Sequence, residues 1–309
     1  MRTFQTRREV RSSTTMKRLL KRLPILKQLS DTRSDIMLTR ATAERQLRLS
    51  QELVVVTLLA SPKYSDSKKL NRHEGQVFSQ NGEDGIIAEI FSRIGSTNKT
   101  FVEFGAGDGK ENNSAYLLLK GWSGYWFEGD NQKLDSIRSK FAGIISEKRL
   151  VASREFFTME SAARVFERHG VPEEFDLLSI DIDRNTSWIW RSLRAFHPRV
   201  CVVEYNASIP PQDDWEIPYE AEAAWDGTLI FGAGLLALER IGVDLGYSLV
   251  GCDFSGANAF FVRNDLVADL FSEPFTAIHH YEPPRYFLGR TWGHIKPVRF
   301  SAPGRANNL

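Results

Sequence analysis

Chemistry is most legible where the stretch FVEFGAGDGKENN ends an apolar run in Gly105, Gly107 and Gly109, and where GYWFEGD delivers Glu128 a further 23 residues past Gly105. Residues without side chains let a ligand approach the backbone, and a sharp strand-to-helix turn needs φ values that only glycine takes cheaply. An acid at the end of the following strand can accept hydrogen bonds from both hydroxyls of a ribose. Together these features point to a cofactor that contains a nucleoside. The spacing is G-x-G-x-G followed by Lys110. It departs from the G-x-G-x-x-G dinucleotide fingerprint, whose last glycine allows close helix–strand packing. Asp130 is a second candidate for the ribose contact, with the N-cap of a helix starting at Asn131 as its structural alternative.

Two later apolar runs also end in acids. Asp181 and Asp183 finish LLSIDID, and Glu204 and Asn206 finish VVEYNA. Ligands of open α/β sheets lie outside the carboxyl ends of the strands, so these residues are expected to face the reacting group. Asp181 or Asp183 could take a proton from a hydroxyl as a general base. As ligands, Asp181, Asp183 and Glu204 supply the hard oxygens that Mg²⁺ prefers. Asp183 could equally cap the helix that follows. His279 and His280 lie in AIHHYEPPRYF, a loop placed to cover an acceptor pocket, and an imidazole near neutrality is a good base. Trp122, Trp126, Trp188 and Trp190 could stack on a sugar face, although their spacing suits a core.

Positioning such residues takes a sheet. From about residue 75 short apolar runs alternate with amphipathic stretches, the pattern of a mostly parallel, Rossmann-like open α/β sheet with helices on both faces. Strands are predicted at Thr100–Phe104, Gly124–Phe127, Arg149–Ala152, Phe175–Asp181, Val200–Tyr205, Tyr247–Cys252 and Ala259–Val262. Helices are predicted at Glu83–Ile94, Ser114–Lys120, Gln132–Phe141, Ser161–His169, Thr186–Leu193 and Gly232–Ile241. Residues 1–74 form an N-terminal basic arm and helical extension, and residues 75–309 form the sheet domain.

The ordered series SQNGEDGII, FVEFGAGDGKENN, GWSGYWFEGD, LLSIDID, VVEYNA and LVGCDFSGANAFFVR resembles a bacterial class I methyltransferase group related to the FkbM-like enzymes, over roughly residues 75–265. The resemblance implies S-adenosylmethionine as cofactor. Glu103 and the turn Gly105, Ala106, Gly107 and Gly109 would meet its methionine end and Glu128 its ribose, with Glu83 and Asn113 in the same cofactor set. FkbM-like enzymes methylate oxygen on sugars or natural products, so the resemblance implies an O-methyltransferase and a glycan or small-molecule acceptor. One departure falls on the acceptor side. Where the pattern reads IDIDGNDYW, this chain has Arg184 for the glycine, and Thr186 and Ser187 for the acidic and aromatic residues. Two other functions fit parts of the sequence. A nicotinamide-dependent oxidoreductase shares the glycine turn and the strand-end acid but not the last glycine, and a non-catalytic binding or scaffold protein would tolerate Arg184.

Composition narrows the partners. With 42% hydrophobic and 26% charged residues, the 309-residue chain suits a globular protein with a sizeable core. Cys201 and Cys252 sit in apolar runs, as buried thiols do, which fits a reducing cytoplasm. The net charge of +1 conceals an asymmetry: residues 1–30 hold nine Lys and Arg against one Glu, leaving the remainder at −7. A nucleic-acid partner is therefore not expected for the enzyme body. Leu53–Ala60 falls far short of the roughly 20 apolar residues of a membrane span. The arm lacks a signal peptide's apolar centre, while its Arg-rich, acid-poor character leaves an organelle transit peptide open. A short basic amphipathic helix over Met16–Leu29, interrupted by Pro24, suits peripheral contact with an anionic membrane such as the inner membrane surface. Deleting residues 1–30 is expected to reduce sedimentation with anionic vesicles at low salt while leaving the melting temperature nearly unchanged; an intact protein that ignores such vesicles would reject the contact.

Overall fold

The computed structural model describes residues 24–223 and 225–288. Contacts divide the chain into two units, Met1–Val56 and Thr57–Leu309. A single helix, α1 (Pro24–Leu59), accounts for the described part of the first, and Leu29, Ile36, Met37, Leu38, Leu47 and Leu53 on it are exposed. Residues 1–23, which carry most of the basic arm and the first part of the expected Met16–Leu29 helix, lie outside the described residues. No helix among the described residues is long and apolar enough to cross a membrane.

In the second unit the connector after α1 is part of the packed body. Tyr64 and Leu70 are buried, and Leu70 lies against Gly251, where the strand register shifts. A Cβ at Gly251 would stand 3.1 Å from the leucine methyl. Residues 61–74, grouped with the arm by their polar sequence, thus fold with the sheet. Helix α2 (Glu83–Ile94) follows, and then seven strands: β1 (Thr100–Phe104), β2 (Ser123–Glu128), β3 (Leu150–Arg154), β4 (Leu177–Ile180), β5 (Val200–Glu204), β6 (Tyr247–Cys252) and β7 (Asn258–Arg263).

Successive strand residues alternate between two apolar cores, one on each face of the sheet. Val102, Phe104, Phe127, Leu178 and Val203 enter one, while Phe101, Trp126, Leu177, Val200 and Val202 enter the other. That two-sided burial is why the strands read as continuous apolar runs. Trp122 and Trp190 are core residues like Trp126, and half-buried Trp188 donates to the Ile217 carbonyl and carries Arg191 over its ring. Both cysteines are free and buried.

The sheet order is β3-β2-β1-β4-β5-β7-β6. Neighbours from β3 through β5 pair in parallel, and β7 runs antiparallel to both β5 and β6. The chain winds outward from β1 to β3, returns to the middle, and winds the other way from β4. The switch point, where an open sheet leaves a crevice for ligands, is the gap between the ends of β1 and β4. The all-parallel dinucleotide order 3-2-1-4-5-6 differs, since here a hairpin places β7 between β5 and β6.

Helix α2 and β1 fall where the periodicity predicts them. The predicted helix at Gly232–Ile241 begins later, at Leu235, because Ala233 bridges to Glu216 and Gly234 supplies the N-cap. The predicted strand Phe175–Asp181 is shorter at both ends, since Asp176 turns its carboxylate to the backbone N–H groups of Thr97 and Lys99 and Asp181 opens a turn.

Gly109 shows how tightly the turn after β1 is built. Its φ is +80°, and a Cβ there would lie 2.6 Å from the ring of buried Phe141. Gly121 has φ +83° with open space around it. Left-handed backbone costs an L-residue about 1–2 kcal/mol and overpacking about 1–3 kcal/mol. In urea unfolding, Gly109→Ala is expected to lose about 3 kcal/mol and Gly121→Ala about 1 kcal/mol. Equal losses would show that Phe141 makes room.

Candidate functional site

The turn after β1 is held from beneath by Glu103. This buried carboxylate accepts the backbone N–H of Asn113 at 2.8 Å and of Ser114 at 3.2 Å, and it accepts the Ser114 hydroxyl. Ser114 in turn receives Trp126 Nε1 at 2.7 Å, and Asn113 Nδ2 reaches Ser179 Oγ on β4 at 3.1 Å. Burial pushes the Glu103 carboxyl up from its ordinary range, and the hydrogen bonds from Ser114 and Asn113 oppose that. Gly105, with φ +66°, lies so close to the Asp181 carbonyl that a Cβ would collide with it. The ends of β1 and β4 therefore meet backbone to backbone.

Glu128 ends β2 on the other side of the turn. One of its oxygens accepts Gly107 N–H at 2.7 Å and the other accepts Asp130 N–H at 2.9 Å. Each oxygen keeps a second lone pair, so the carboxylate can still receive ribose hydroxyls. Asp130 itself caps the helix Asn131–Lys140, accepting from Gln132 N at 2.7 Å and Lys133 N at 2.9 Å. The helix-cap alternative for Asp130 is thus realised, through one of its two oxygens.

Two clefts open at the switch point, and Gly105 and Asp181 line both. The first, of about 170 Å³, is lined among others by Glu83, Glu103, Gly107, Asn113 and Asn258. The second, of about 310 Å³, is lined by Glu128, Lys133, Phe156, Phe157, Asp183 and Trp225 among others. The turn residues Gly105, Ala106 and Gly107, together with Glu83, Glu103 and Asn113, therefore gather on one side and Glu128 on the other. Gly109 sits behind the turn under Phe141 rather than in either cleft. Glu83 receives Asn81 and Asn258 from two separate elements. Phe156, after β3, and Trp225, in the long β5-to-helix connection, add exposed aromatic surface that no sequence motif marked.

Asp181, Asp183 and Glu204 do come together. Each contributes a carboxylate oxygen, and the three oxygens lie within 4.8 Å of one another. Asp181 and Asp183 are exposed at the cleft, Glu204 is half-buried, and the carboxyl groups crowd one another. Desolvation by the surrounding protein pushes the Asp181 carboxyl up to about 7, reinforced by the negative charge of Asp183, while a hydrogen bond to Glu204 opposes the shift. Burial, then Asp181, push Glu204 well above the usual carboxylate range. Asp183 is raised by burial and lowered by Lys133. A tight turn creates this arrangement: Arg184 N–H donates to the Ile182 carbonyl at 2.7 Å and Asp183 adopts φ +60°. Asp183 takes the left-handed conformation, so position 184 does not need glycine. The Arg184 side chain pairs with Glu220 at 2.9 Å, away from the carboxylates. Thr186 and Ser187 are buried at the start of the next helix. Asn206 is also structural, its Nδ2 donating to the carbonyls of Leu229 and Phe231.

His279 and His280 do not join this group. Neither lines either of these two clefts; His279 Nε2 lies 3.0 Å from Ser272 Oγ, and His280 is buried beside Lys69. Burial and the Lys69 charge push His280 well below its ordinary range, which suits packing rather than proton exchange with a substrate. Their loop contributes Tyr286 instead, whose phenol is raised by burial and by the nearby charge of Glu204.

No protein-family model matches the sequence, and no curated protein matches it. Solved structures resemble it at low identity. The methyltransferase domain of bacterial CtHen1-C aligns over 59% of this chain and 96% of its own, with 13% identity and a TM-score of 0.39. A SAM-dependent methyltransferase from Aquifex aeolicus aligns over 57% and 87%, with 10% identity and a TM-score of 0.34. An O-methyltransferase from Bacillus cereus in complex with SAH aligns over 52% and 67%, with 14% identity and a TM-score of 0.33. The chain's own strand order makes this an open Rossmann-like α/β sheet.

The raised Asp181 carboxyl has a consequence for stability. An acid whose folded value exceeds its unfolded value of about 3.9 stabilises the fold while protonated, and that contribution is lost as pH rises from about 4 through about 7. In chelator, the melting temperature is expected to fall across this window, and Asp181→Asn is expected to flatten the fall and raise the value at pH 8. Parallel pH profiles for the two proteins would show that Asp181 ionises without penalty.

Proposed function

We propose that this protein is an S-adenosylmethionine-dependent O-methyltransferase whose acceptor is a hydroxyl of a sugar, glycan or natural product. The observation that carries the reading is the meeting of Gly105 and Asp181 at the switch point, with a nucleoside-type cleft on one side and a proton-accepting carboxylate in the wall between the two. The motif resemblance supplies the cofactor's identity.

S-adenosylmethionine, when bound, supplies an electrophilic methyl group and leaves as S-adenosylhomocysteine. Glu128 suits its ribose, the open backbone of the glycine turn beside Glu103 and Asn113 suits its amino-acid part, and Phe156 and Trp225 offer apolar surface to its base. Aligning the acceptor with the transferred methyl provides much of the rate in an in-line displacement. Asp181, whose carboxyl is raised above its ordinary range, takes the hydroxyl proton as the oxygen–carbon bond forms. A pair of carboxyls with Glu204 gives that proton a second place to rest.

The three carboxylates also fit a divalent cation of the Mg²⁺ type. They offer only oxygen ligands at close range, and Glu204 Oε2 is buried without a hydrogen-bond partner. Such an ion would lower the cost of crowding three acids and polarise the acceptor oxygen. Against the oxidoreductase stand the missing last glycine and the strand order. Arg184 no longer favours a scaffold, because its turn and ion pair leave the carboxylates in place.

General-base assistance contributes about 10²–10⁴-fold to a rate. Asp181→Asn is therefore expected to slow methyl transfer on that scale while S-adenosylhomocysteine affinity, read by calorimetry, stays within a few-fold. A chelator that slows the wild type, with recovery on adding Mg²⁺, would support the ion. A fully active Asp181→Asn enzyme would reject both roles for the aspartate.

A further inference from the structure

Helix α1 meets solvent along most of its length. Residues 27–50 are exposed apart from half-buried Ala41, although Leu29, Ile36 and Leu47 are among them. Helices in proteins owe most of their stability to an apolar face packed on something else, so an exposed stretch of this length calls for a partner. At 3.6 residues per turn, Leu29, Ile36, Arg40, Ala43, Leu47 and Val54 fall within an arc of about 60°. Exposed Leu38 and Leu49 lie on the opposite side.

The spacing of that stripe, 7-4-3-4-7, is the same read from either end. Turned end for end about the point between Ala41 and Thr42, the helix sets Ile36 level with Leu47, Arg40 with Ala43, Leu29 with Val54 and Arg33 with Ser50. A two-fold axis makes this demand of an interface between identical chains: where residue i meets j, j must meet i. Each level places apolar against apolar or a long arginine against a small residue, so the arginine stem can lie along the seam with its charge at the edge.

Charge selects the direction. Arg40 pairs with Glu44 of its own helix at 2.9 Å, and both side chains are exposed. In the antiparallel arrangement Arg40 also stands within one residue of level with the partner's Glu44, on the same flank of the seam, so two pairs join into one network of alternating sign. A parallel, in-register pair would instead stack Arg33 on its own copy and Arg40 on its own copy.

We propose that α1 forms an antiparallel two-helix coiled coil with α1 of a second copy of this chain, crossing at Arg40 and Ala43. The pairing is independent of the methyltransferase reading. Two other occupants match the stripe less well. Residues 1–22 hold eight Lys and Arg against one Glu and would bring like charge to Arg33 and Arg40. An anionic bilayer would meet Asp31, Asp35, Glu44 and Glu52 interspersed with the basic residues of α1.

Sedimentation equilibrium of the full chain is expected to give twice the 35.2 kDa chain mass at micromolar concentration. Ile36→Glu and Leu47→Glu are each expected to raise the dissociation constant at least tenfold, with folding checked by circular dichroism, while Leu38→Glu and Leu49→Glu leave it within about twofold. Arg40→Glu is expected to weaken the dimer several-fold and Glu44→Arg in the same chain to restore it. Direction is read by disulfide trapping, with native Cys201 and Cys252 buried out of reach. Chains carrying Ile36→Cys and Leu47→Cys are expected to cross-link when mixed and neither to cross-link alone, since antiparallel pairing holds each cysteine about three turns from its own copy. A monomer at every concentration, self-cross-linking of either single variant, or an equal effect of Leu38→Glu would overturn the proposal. Dimers that form only once residues 1–22 are removed would assign the stripe to that segment, and vesicle binding lost in Ile36→Glu without a change of mass would assign it to a membrane. Either result overturns the proposal too.

Discussion

A single buried carboxylate holds the functional end of this sheet together. Glu103 stands on β1 among Phe101, Trp126 and Ser179, where an ionised group has little water to solvate it. It is retained because two backbone N–H groups and a hydroxyl from residues 113–114 converge on it. Those bonds close a ten-residue excursion between β1 and the next helix, and the closed loop presents Gly105 to Asp181 and Gly107 to Glu128. Removing one partner of such a network leaves the others unsatisfied in a low-dielectric setting, so the loop's members act as a unit.

The same end of the sheet collects negative charge to a degree that the fold alone would not select. Asp181, Asp183 and Glu204 repel one another, and Asp253, buried near Glu83, is likewise pushed up to about 7 by burial and that neighbour's charge. Natural proteins accept such destabilised groups where activity requires them. Elsewhere acids are matched more conventionally, as where Glu282 receives Tyr64, Lys63 and Arg285 and ties the early connector to the late loop. The crevice thus concentrates like charge, while pairs such as these tie its surroundings together.

Local patterns were readable because their causes are local. The G-x-G-x-G turn, Glu128 and the carboxylates ending β4 and β5 follow from strand ends and turn chemistry, and the sheet brings them to one edge as the winding rule requires. Residue type without placement misled for His279 and His280, whose chemistry suits a base but whose short helix packs over β6 beside Lys69. Arg184 misled in the opposite sense, since the backbone assigns the left-handed position to Asp183. Phe156 and Trp225 carried no motif, and Asn258 and Tyr286 stood unremarked within quoted stretches, because only tertiary folding brings their distant segments together. Chain pattern also hid the connector at 61–74, whose polar residues conceal the anchors Tyr64 and Leu70.

Because β7 runs antiparallel to β5, the first residue of β7 stands level with the last residue of β5, Asn258 opposite Glu204. Glu128 reaches the second cleft as the last residue of β2, whereas Asn258 reaches the first as the first residue of β7. The Asp253–Ala257 turn that sets Asn258 in place is held by Asp253 through Ser255, Ala257 and Asn258 and has no share in the glycine loop. Insertions or exchanges in that hairpin can therefore redraw one wall of the crevice during evolution while the half that holds the nucleoside is inherited unchanged.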